Sequence, residues 1–338
     1  MVPFSLFSFG QTNKTPDRII DEQSLNLYIE KLITENTQPA KNPQIFRTES
    51  GDFNVRPGEN GSTYEAEKLK NALIKLPYSD DKELTLAATK ELVPSVTDQQ
   101  AEETAPKIKA NEQALNKLIA DWRAEYPNAK TAVYFQEING FGRVAKASEK
   151  TSFFAASLYK LFVAHYVMNG IDKKTINPTQ PAVGGRSIEN CLRIMIVNSD
   201  NPCPEAMANR FGWSTINQFA ASNGFEDSNV EYGDNTVTAT DMVNFLVRLN
   251  AGELLSQEQT DKLLSYMRVQ VYRSAIPAGL PGVTVEDKVG FYISTWHDAA
   301  IVRSKKTTYA LVVLTEGTGP GAIADLAKKI DEVLIETF

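Results

Sequence analysis

The chain has 338 residues and a formal net charge of -7, from 35 Lys+Arg against 42 Asp+Glu. Its 42% hydrophobic and 23% charged content excludes a wholly disordered, collagenous or disulfide-dense polypeptide. The acidic balance argues against nucleic-acid binding, which needs a basic footprint, and no segment approaches the ~18 consecutive apolar residues of a membrane span.

At ~100–200 residues per domain the length points to two domains or one large one. Met1 to Phe9 is apolar but short, holds Pro3 and lacks a basic flank, so it does not read as a signal peptide; the stump of a removed anchor is the alternative. The stretch to about Thr15 reads as flexible, and a helix is predicted from Pro16 through Ile19, Ile20, Leu25, Leu27, Ile29, Leu32 and Ile33. Thr37 to Pro43 reads as a linker. Gln44–Arg47 and Phe53–Arg56 read as strands around a Glu49–Asp52 turn. A helix over Thr63 to Leu76, with Leu69, Leu73 and Leu76 on one stripe, and a strand over Leu84–Ala88 follow. Ser95 to Lys109 is polar, Glu/Gln-rich and contains Pro106. The domain boundary is placed there, giving an N-terminal α+β domain over 1–108 and a second domain over 109–338.

The second domain opens with an amphipathic helix from about Asn111 to Glu125 and a strand over Thr131–Gln136. Asn139-Gly140 is a hairpin signal, with a returning strand near Arg143-Val144. Gly140-Phe141-Gly142 lacks a third glycine and opens no helix, which excludes a dinucleotide-binding turn. Ala155 to Met168 is apolar and helical, and further helices follow between Ser187 and Leu264. Strands are predicted at Thr284–Val289, Ala299–Arg303 and Tyr309–Thr315, and a closing helix over Ile323–Thr337. Strands, a block of helices, strands and a helix make an α+β fold: an antiparallel sheet flanked by helices, with an all-helical subdomain.

Three short motifs carry the chemistry: Ser157-Leu158-Tyr159-Lys160, Ser199-Asp200-Asn201 and Lys288-Val289-Gly290. Each alone is common. Residues three apart on a helix share a face, so Lys160 reaches the oxygen of Ser157, and a helix start favours developing negative charge. A lysine whose pKa is lowered by burial and neighbouring positive charge acts as a base.

In this order the three motifs resemble the signature of class A β-lactamases and penicillin-binding proteins. The resemblance runs from about Glu112 to Thr337. It includes Thr151 to Ser157, Arg273-Ser274-Ala275-Ile276-Pro277-Ala278-Gly279 ahead of Asp287-Lys288, and Asp234-Asn235-Thr236-Val237-Thr238-Ala239. It implies Ser157 as nucleophile and Lys160 as base. Ser199 and Lys288 would pass a proton to the leaving group, Lys288 would also face the substrate carboxylate, and Asn201 would hold the substrate amide. The oxyanion would be held by the backbone N–H groups of Ser157 and Phe291, next to Gly290. No cofactor and no metal are implied.

Two features depart from that pattern. The run Gly224 to Asp234 is short and lacks the Glu-x-x-Leu-Asn whose glutamate activates the deacylating water in class A β-lactamases; Glu226 and Glu231 lie near but read as surface carboxylates. Val289 stands where the family has Thr or Ser, which removes a hydroxyl from the substrate-carboxylate site. Residues from Ile45 to Val96-Thr97 resemble a peptidoglycan-binding domain found ahead of some cell-wall transpeptidases; a simple spacer is the alternative.

His165 reads as a packed core histidine and His297 as a residue of the cleft rim. Two scattered histidines make neither a triad nor a metal site. Cys191 and Cys203 are either two buried thiols or a disulfide, the latter suiting an exported protein. The expected function is therefore acyl transfer of the penicillin-binding-protein type on D-Ala-D-Ala peptidoglycan stem peptides outside the cytoplasmic membrane, with slow release of β-lactams. A β-lactamase and a catalytically degenerate wall-binding protein are the alternatives. The sequence does not define an oligomeric state.

Overall fold

The computed structural model describes residues 22–75 and 90–336. The readings at the extreme N-terminus, the helix start at Pro16, the end of the helix at Leu76, the strand over Leu84–Ala88 and Thr337 lie outside them. The chain divides into two compact units, Met1–Pro106 and Lys107–Phe338.

In the first unit, α1 (Glu22–Asn36) is followed by the antiparallel pair β1 (Gln44–Arg47) and β2 (Phe53–Arg56), with Ile45 opposite Val55. β3 (Gly61–Thr63) pairs with β4 (Lys90–Leu92), and α2 (Ala66–Lys75) lies between them in sequence. Thr63 ends β3 instead of opening the helix, and its hydroxyl bonds that of Thr37 at 2.7 Å. Gly61 is required where it stands: a Cβ there would meet Gln38 O at 2.2 Å and Ala40 N at 2.4 Å.

The polar stretch Ser95–Lys109 enters α3 (Asp98–Glu125), which contains Pro106 and begins well ahead of the predicted helix start at Asn111. A reciprocal cap starts this helix: Thr97 N donates to Gln100 Oε1 at 2.8 Å and Gln100 N to Thr97 Oγ1 at 3.2 Å. Ala101, Ala105, Ile108, Asn111, Leu115, Ile119 and Trp122 form one buried stripe at three- and four-residue spacing. The continuous stripe outweighs the hydrogen bond lost at Pro106.

The second unit is built on a five-stranded antiparallel sheet. Its strands are β5 (Lys130–Asn139), β6 (Val144–Ala147), β12 (Thr284–Tyr292), β13 (Thr295–Arg303) and β14 (Thr308–Glu316), in the order β12-β13-β14-β5-β6. Alternate residues of the same strands feed two cores. Val133, Phe135, Leu311 and Val313 pack with Leu115, Ile119 and Trp122 of α3 and with Ile323, Leu326 and Ile330 of α11 (Pro320–Val333). Ala132, Ala310, Val312 and Leu314 face the larger core. There they meet Leu161 and Phe162 of α4 (Tyr159–Asp172), Leu192 and Met195 of α5 (Ile188–Val197), and Met242 and Phe245 of α8 (Ala239–Asn250). Burial on both faces explains why β14 reads as a continuous apolar run. The helical subdomain is completed by α6 (Pro202–Phe211), α7 (Trp213–Ser222) and α9 (Gln257–Arg268). The short helix α10 (Ile276–Gly279) precedes β12. The fold is α+β, as the element order implies.

Asn139-Gly140 does not make a two-residue hairpin. The β5–β6 register runs from Val133↔Ala147 to Gln136↔Val144, leaving a wider connection. The buried Glu137 carboxylate fills it, accepting from Phe141 N, Arg143 N and the Arg143 guanidinium. Short hairpins, β8 (Pro181–Val183) with β9 (Arg186–Ser187) and β10 (Asn229–Glu231) with β11 (Asp234–Val237), interrupt the helical block; β11 also pairs with β7 (Phe153–Phe154).

Candidate active site

Three pieces of backbone meet at the candidate site. The first is the turn into α4. β7 is pinned by β11, and Ala155 N donates to Asn235 O at 2.9 Å. The chain then passes through Ala156 at φ +46, a left-handed conformation rare for a residue with a Cβ, and makes one 3-10 turn over Ala156–Leu158 before α4. This sharp turn presents the half-buried Ser157 at a helix start, where unpaired N–H groups favour negative charge.

The second piece is the turn between α5 and α6. Ser199 sits at φ +54, and Cys191 and Cys203 form a disulfide across the turn, with Cα atoms 5.1 Å apart. Cys203 N also donates to Asp200 Oδ2 at 3.0 Å, so Asp200 caps α6.

The third piece is β12, an edge strand whose outer side has no strand partner among the described residues. Gly290 lets this edge approach Ser157. A Cβ there would lie 2.9 Å from Ala155 O and 3.2 Å from Ser157 N.

The side chains converge on two lysines. Lys160 Nζ lies 2.9 Å from Ser157 Oγ, 2.6 Å from Ser199 O, 2.7 Å from Asn201 Oδ1 and 3.3 Å from Ser199 Oγ. Burial lowers its pKa to about 8, against the attraction of Asp200 and Glu205. In the neutral amine, two N–H bonds satisfy the pure acceptors Ser199 O and Asn201 Oδ1, and the lone pair is left for the Ser157 hydroxyl. The same contact fixes the Asn201 amide with Oδ1 towards Lys160 and Nδ2 as its free-standing donor.

Lys288 Nζ donates to Ser199 Oγ at 2.9 Å and to Val289 O at 2.8 Å. Burial, then the charge of Lys160, lowers its pKa to about 7. Ser199 Oγ thus lies against both amines and can relay a proton between them and a bound molecule.

Two buried carboxyls, Asp287 and Asp298, act on Lys288 through their charge, favouring its protonated form against burial. Asp287 Oδ1 accepts from Arg273 at 2.6 Å and Oδ2 from Gln270 at 2.9 Å. Asp298 Oδ2 accepts from Ile276 N at 2.9 Å. Burial raises both carboxyls, Asp298 to about 7.

Ser157, Lys160, Ser199, Asn201, Lys288 and Gly290 are therefore together, with the Phe291 backbone following Gly290 on the same edge. Val289 contributes differently from the expectation. Its side chain is 1% exposed and pairs in register with Asp298, on the sheet face opposite Lys288; what it offers the site is its carbonyl.

His297 is not on a rim. It is buried in β13, with Nε2 2.8 Å from Phe154 O and Nδ1 accepting from Thr315 N at 3.1 Å. Burial lowers its pKa to about 4, so this neutral ring ties β7, the approach to the nucleophile, onto the sheet. His165 is buried against Phe219 and Phe245. Glu231 accepts from Ser214 Oγ at 2.7 Å and Glu226 is exposed, as surface carboxylates would be. Among the described residues no cluster of three or more His, Cys, Asp or Glu could hold a metal ion, and no helix is long and apolar enough to cross a membrane.

Residues 110–336 match the model of the β-lactamase enzyme family, and the chain belongs to that family. Its fold is that of the β-lactamase-like serine hydrolases. The structure of PBP-A is 21% identical, covers 66% of this chain and 95% of its own, and superposes with a TM-score of 0.59; a mutant of PBP-A is an acyl-enzyme complex with penicillin G. A class A β-lactamase-like protein, PenP from Rhodopseudomonas palustris, is also 21% identical over 65% of this chain and 100% of its own, with a TM-score of 0.60. A β-lactamase from Xanthomonas campestris is 19% identical over 66% and 98%, with a TM-score of 0.61. At these identities the likeness is one of fold. Comparison with curated proteins found no match.

Proposed function

We propose that this protein is a serine acyl-transfer enzyme of the penicillin-binding-protein type, acting on D-Ala-D-Ala stem peptides of peptidoglycan and acylated by β-lactams with slow release. The observation that carries this reading is the buried Lys160 amine, 2.9 Å from Ser157 Oγ with its two shortest contacts on the pure acceptors Ser199 O and Asn201 Oδ1. Lys160 removes the Ser157 proton as Oγ attacks the carbonyl between the terminal alanines. The N–H groups of Ser157 and Phe291 receive the oxyanion, and Asn201 Nδ2 holds the substrate amide. Ser199, with Lys288 behind it, delivers a proton to the departing amine. The Lys288 charge also faces the donor's carboxylate.

The β10–β11 hairpin supports slow deacylation. Its glutamate, Glu231, is held by Ser214, and the residue whose backbone carbonyl takes Ala155 N, Asn235, carries an amide and not a carboxylate. The Cys191–Cys203 disulfide suits an exported protein, and the first unit would then hold the enzyme on the wall. The test is release of D-alanine from a stem pentapeptide by the wild type and by Ser157→Ala, beside turnover of a chromogenic cephalosporin. Ser157-dependent release with little cephalosporin turnover is expected. Rapid cephalosporin turnover would assign the chain as a β-lactamase instead.

A further inference from the structure

The two backbone donors assigned to the oxyanion come from different sheets. Phe291 N belongs to β12 of the five-stranded sheet, whereas Ser157 N follows β7, which pairs with β11 in the small sheet β10-β11-β7. Among the described residues no strand pairing joins these two sheets, so the separation of the donors depends on what crosses between them. Two side-chain bonds do so. The exposed Lys130 of β5 donates from Nζ to Ser152 O at 2.7 Å. The fully buried His297 of β13 has Nε2 2.8 Å from Phe154 O. His297 stands directly opposite Gly290 in the β12–β13 register, so its ring and the bare Cα of Gly290 share one sheet face. The nucleophile turn lies across that face, with Phe154 O on His297 and with Ala155 O and Ser157 N over Gly290. The Phe153 ring closes edge-on against the imidazole, at 5.7 Å and 86°.

Hydrogen-bond accounting fixes the tautomer. Phe154 O can only accept, so Nε2 carries the proton. Nδ1 then accepts from Thr315 N at 3.1 Å, and Trp296 O, which lies 3.0 Å from Nδ1, takes the Thr315 hydroxyl at 2.8 Å instead. The ring thus bridges an N–H of β14 and a C=O of β7 in one orientation. Burial, which lowers its pKa to about 4, keeps it neutral wherever Lys160 is neutral.

From this geometry, and resting on the acyl-transfer reading above, we infer that His297 is a positioning residue for acylation, whose Nε2–H holds Phe154 O and so sets the separation of Ser157 N from Phe291 N. It touches no reacting atom and moves no proton in the cycle. Without it β7 keeps its pairing with β11 but loses its buried bond to the main sheet, and Ser157 N drifts from the edge of β12. A misplacement of ~1 Å costs ~10²-fold, so a drift of half that predicts roughly tenfold slower acylation. The oxyanion forms only as the acyl bond is made, so the loss falls on the acylation rate constant and not on the prior binding of penicillin.

Two substitutions divide the ring between its bonds. His297→Gln places an amide N–H where Nε2–H stood and gives up the acceptor for Thr315 N. His297→Asn keeps an oxygen for Thr315 N and is too short to reach Phe154 O. The full chain is mixed with benzylpenicillin over a range of concentrations, and the time course of the adduct by intact mass separates the acylation rate constant from the dissociation constant of the encounter complex. Urea unfolding of each variant runs in parallel. His297→Asn should acylate about tenfold more slowly with an unchanged dissociation constant, and His297→Gln should recover most of that loss although each variant gives up one buried bond. Equal slowing of both variants in step with their stability, a wild-type rate in His297→Asn, or a loss carried by the dissociation constant overturns the positioning role. The wild type supplies a test that needs no variant to fold: with 15N-labelled histidine, the ring of His297 should be neutral and protonated at Nε2 at pH 7, and a ring protonated at Nδ1 overturns the inference. Failure of penicillin to acylate the wild type overturns the acyl-transfer reading itself, and the role with it.

Discussion

Replacing Gly290 with alanine isolates the close approach of the edge strand to the nucleophile. The added methyl would sit 2.9 Å from Ala155 O, 3.2 Å from the Ala156 Cβ and 3.2 Å from Ser157 N. Ordinary contact begins near 3.4 Å, so the strand and the turn must part by about half an ångström at the oxygen. The turn cannot easily yield, because Ala156 is already at φ +46 and Ala155 N is bonded to Asn235 O. Overpacking of this kind costs about 1–3 kcal/mol of stability. The larger effect is on chemistry: a misplacement of ~1 Å costs ~10²-fold, so half of that predicts roughly a tenfold slower acylation. Gly321→Ala is the matched control, since nothing lies within 4 Å of its Cβ position. The assay is the second-order rate of benzylpenicillin acylation followed by intact mass, with urea unfolding in parallel. Acylation of Gly290→Ala at the wild-type rate would refute the view that this contact sets the oxyanion geometry.

The two lysines set a pH profile. Lys160, lowered to about 8, must be neutral to act as a base, so acylation should rise with pH to a maximum between about 7 and 8, far below an ordinary lysine. Lys288, lowered to about 7, must keep a proton to support the donor, so the rate should fall again on the alkaline side. The two limbs belong to the coupled pair. Lys288→Arg, which keeps its charge, should lose the alkaline fall, and a rate that only falls as pH rises contradicts the assignment. The Cys191–Cys203 cross-link closes a 12-residue separation around Ser199, so the double Cys→Ser variant should lose about 3 kcal/mol in urea unfolding and acylate more slowly; unchanged acylation would separate the disulfide from the Ser199 geometry. Glu231→Gln should leave the decay of a penicilloyl adduct unchanged, because that carboxylate is held by Ser214; faster or slower decay would give it a part in deacylation.

The residues that were legible from sequence are those whose chemistry follows from short spacing. Ser157 and Lys160 share a helix face, and the continuous apolar runs in β13 and β14 mark strands buried on both faces. α3 was read from Asn111 to Glu125, and its first half was also legible in principle: Thr97 and Gln100 make a capping pattern, and the buried stripe begins at Ala101. Glu/Gln richness and Pro106 masked that half, since composition says nothing about which face is buried. Long-range bonds were not legible. Nothing local to His297 announces that its ring ties Phe154 to the sheet, or that the Val289 side chain turns away from the cleft while its carbonyl takes Lys288. The Asn139-Gly140 signal was overridden by Glu137 and Arg143, whose buried pair needs a wider turn.

The central claim is that Ser157 is a nucleophile whose ester is released slowly. Intact-protein mass spectrometry after mixing with benzylpenicillin, followed from minutes to hours beside Ser157→Ala, tests it most directly. The claim predicts one lasting penicilloyl adduct on the wild type and none on the variant. Absence of an adduct on the wild type without penicillin consumption, or an adduct of equal size on Ser157→Ala, would contradict it.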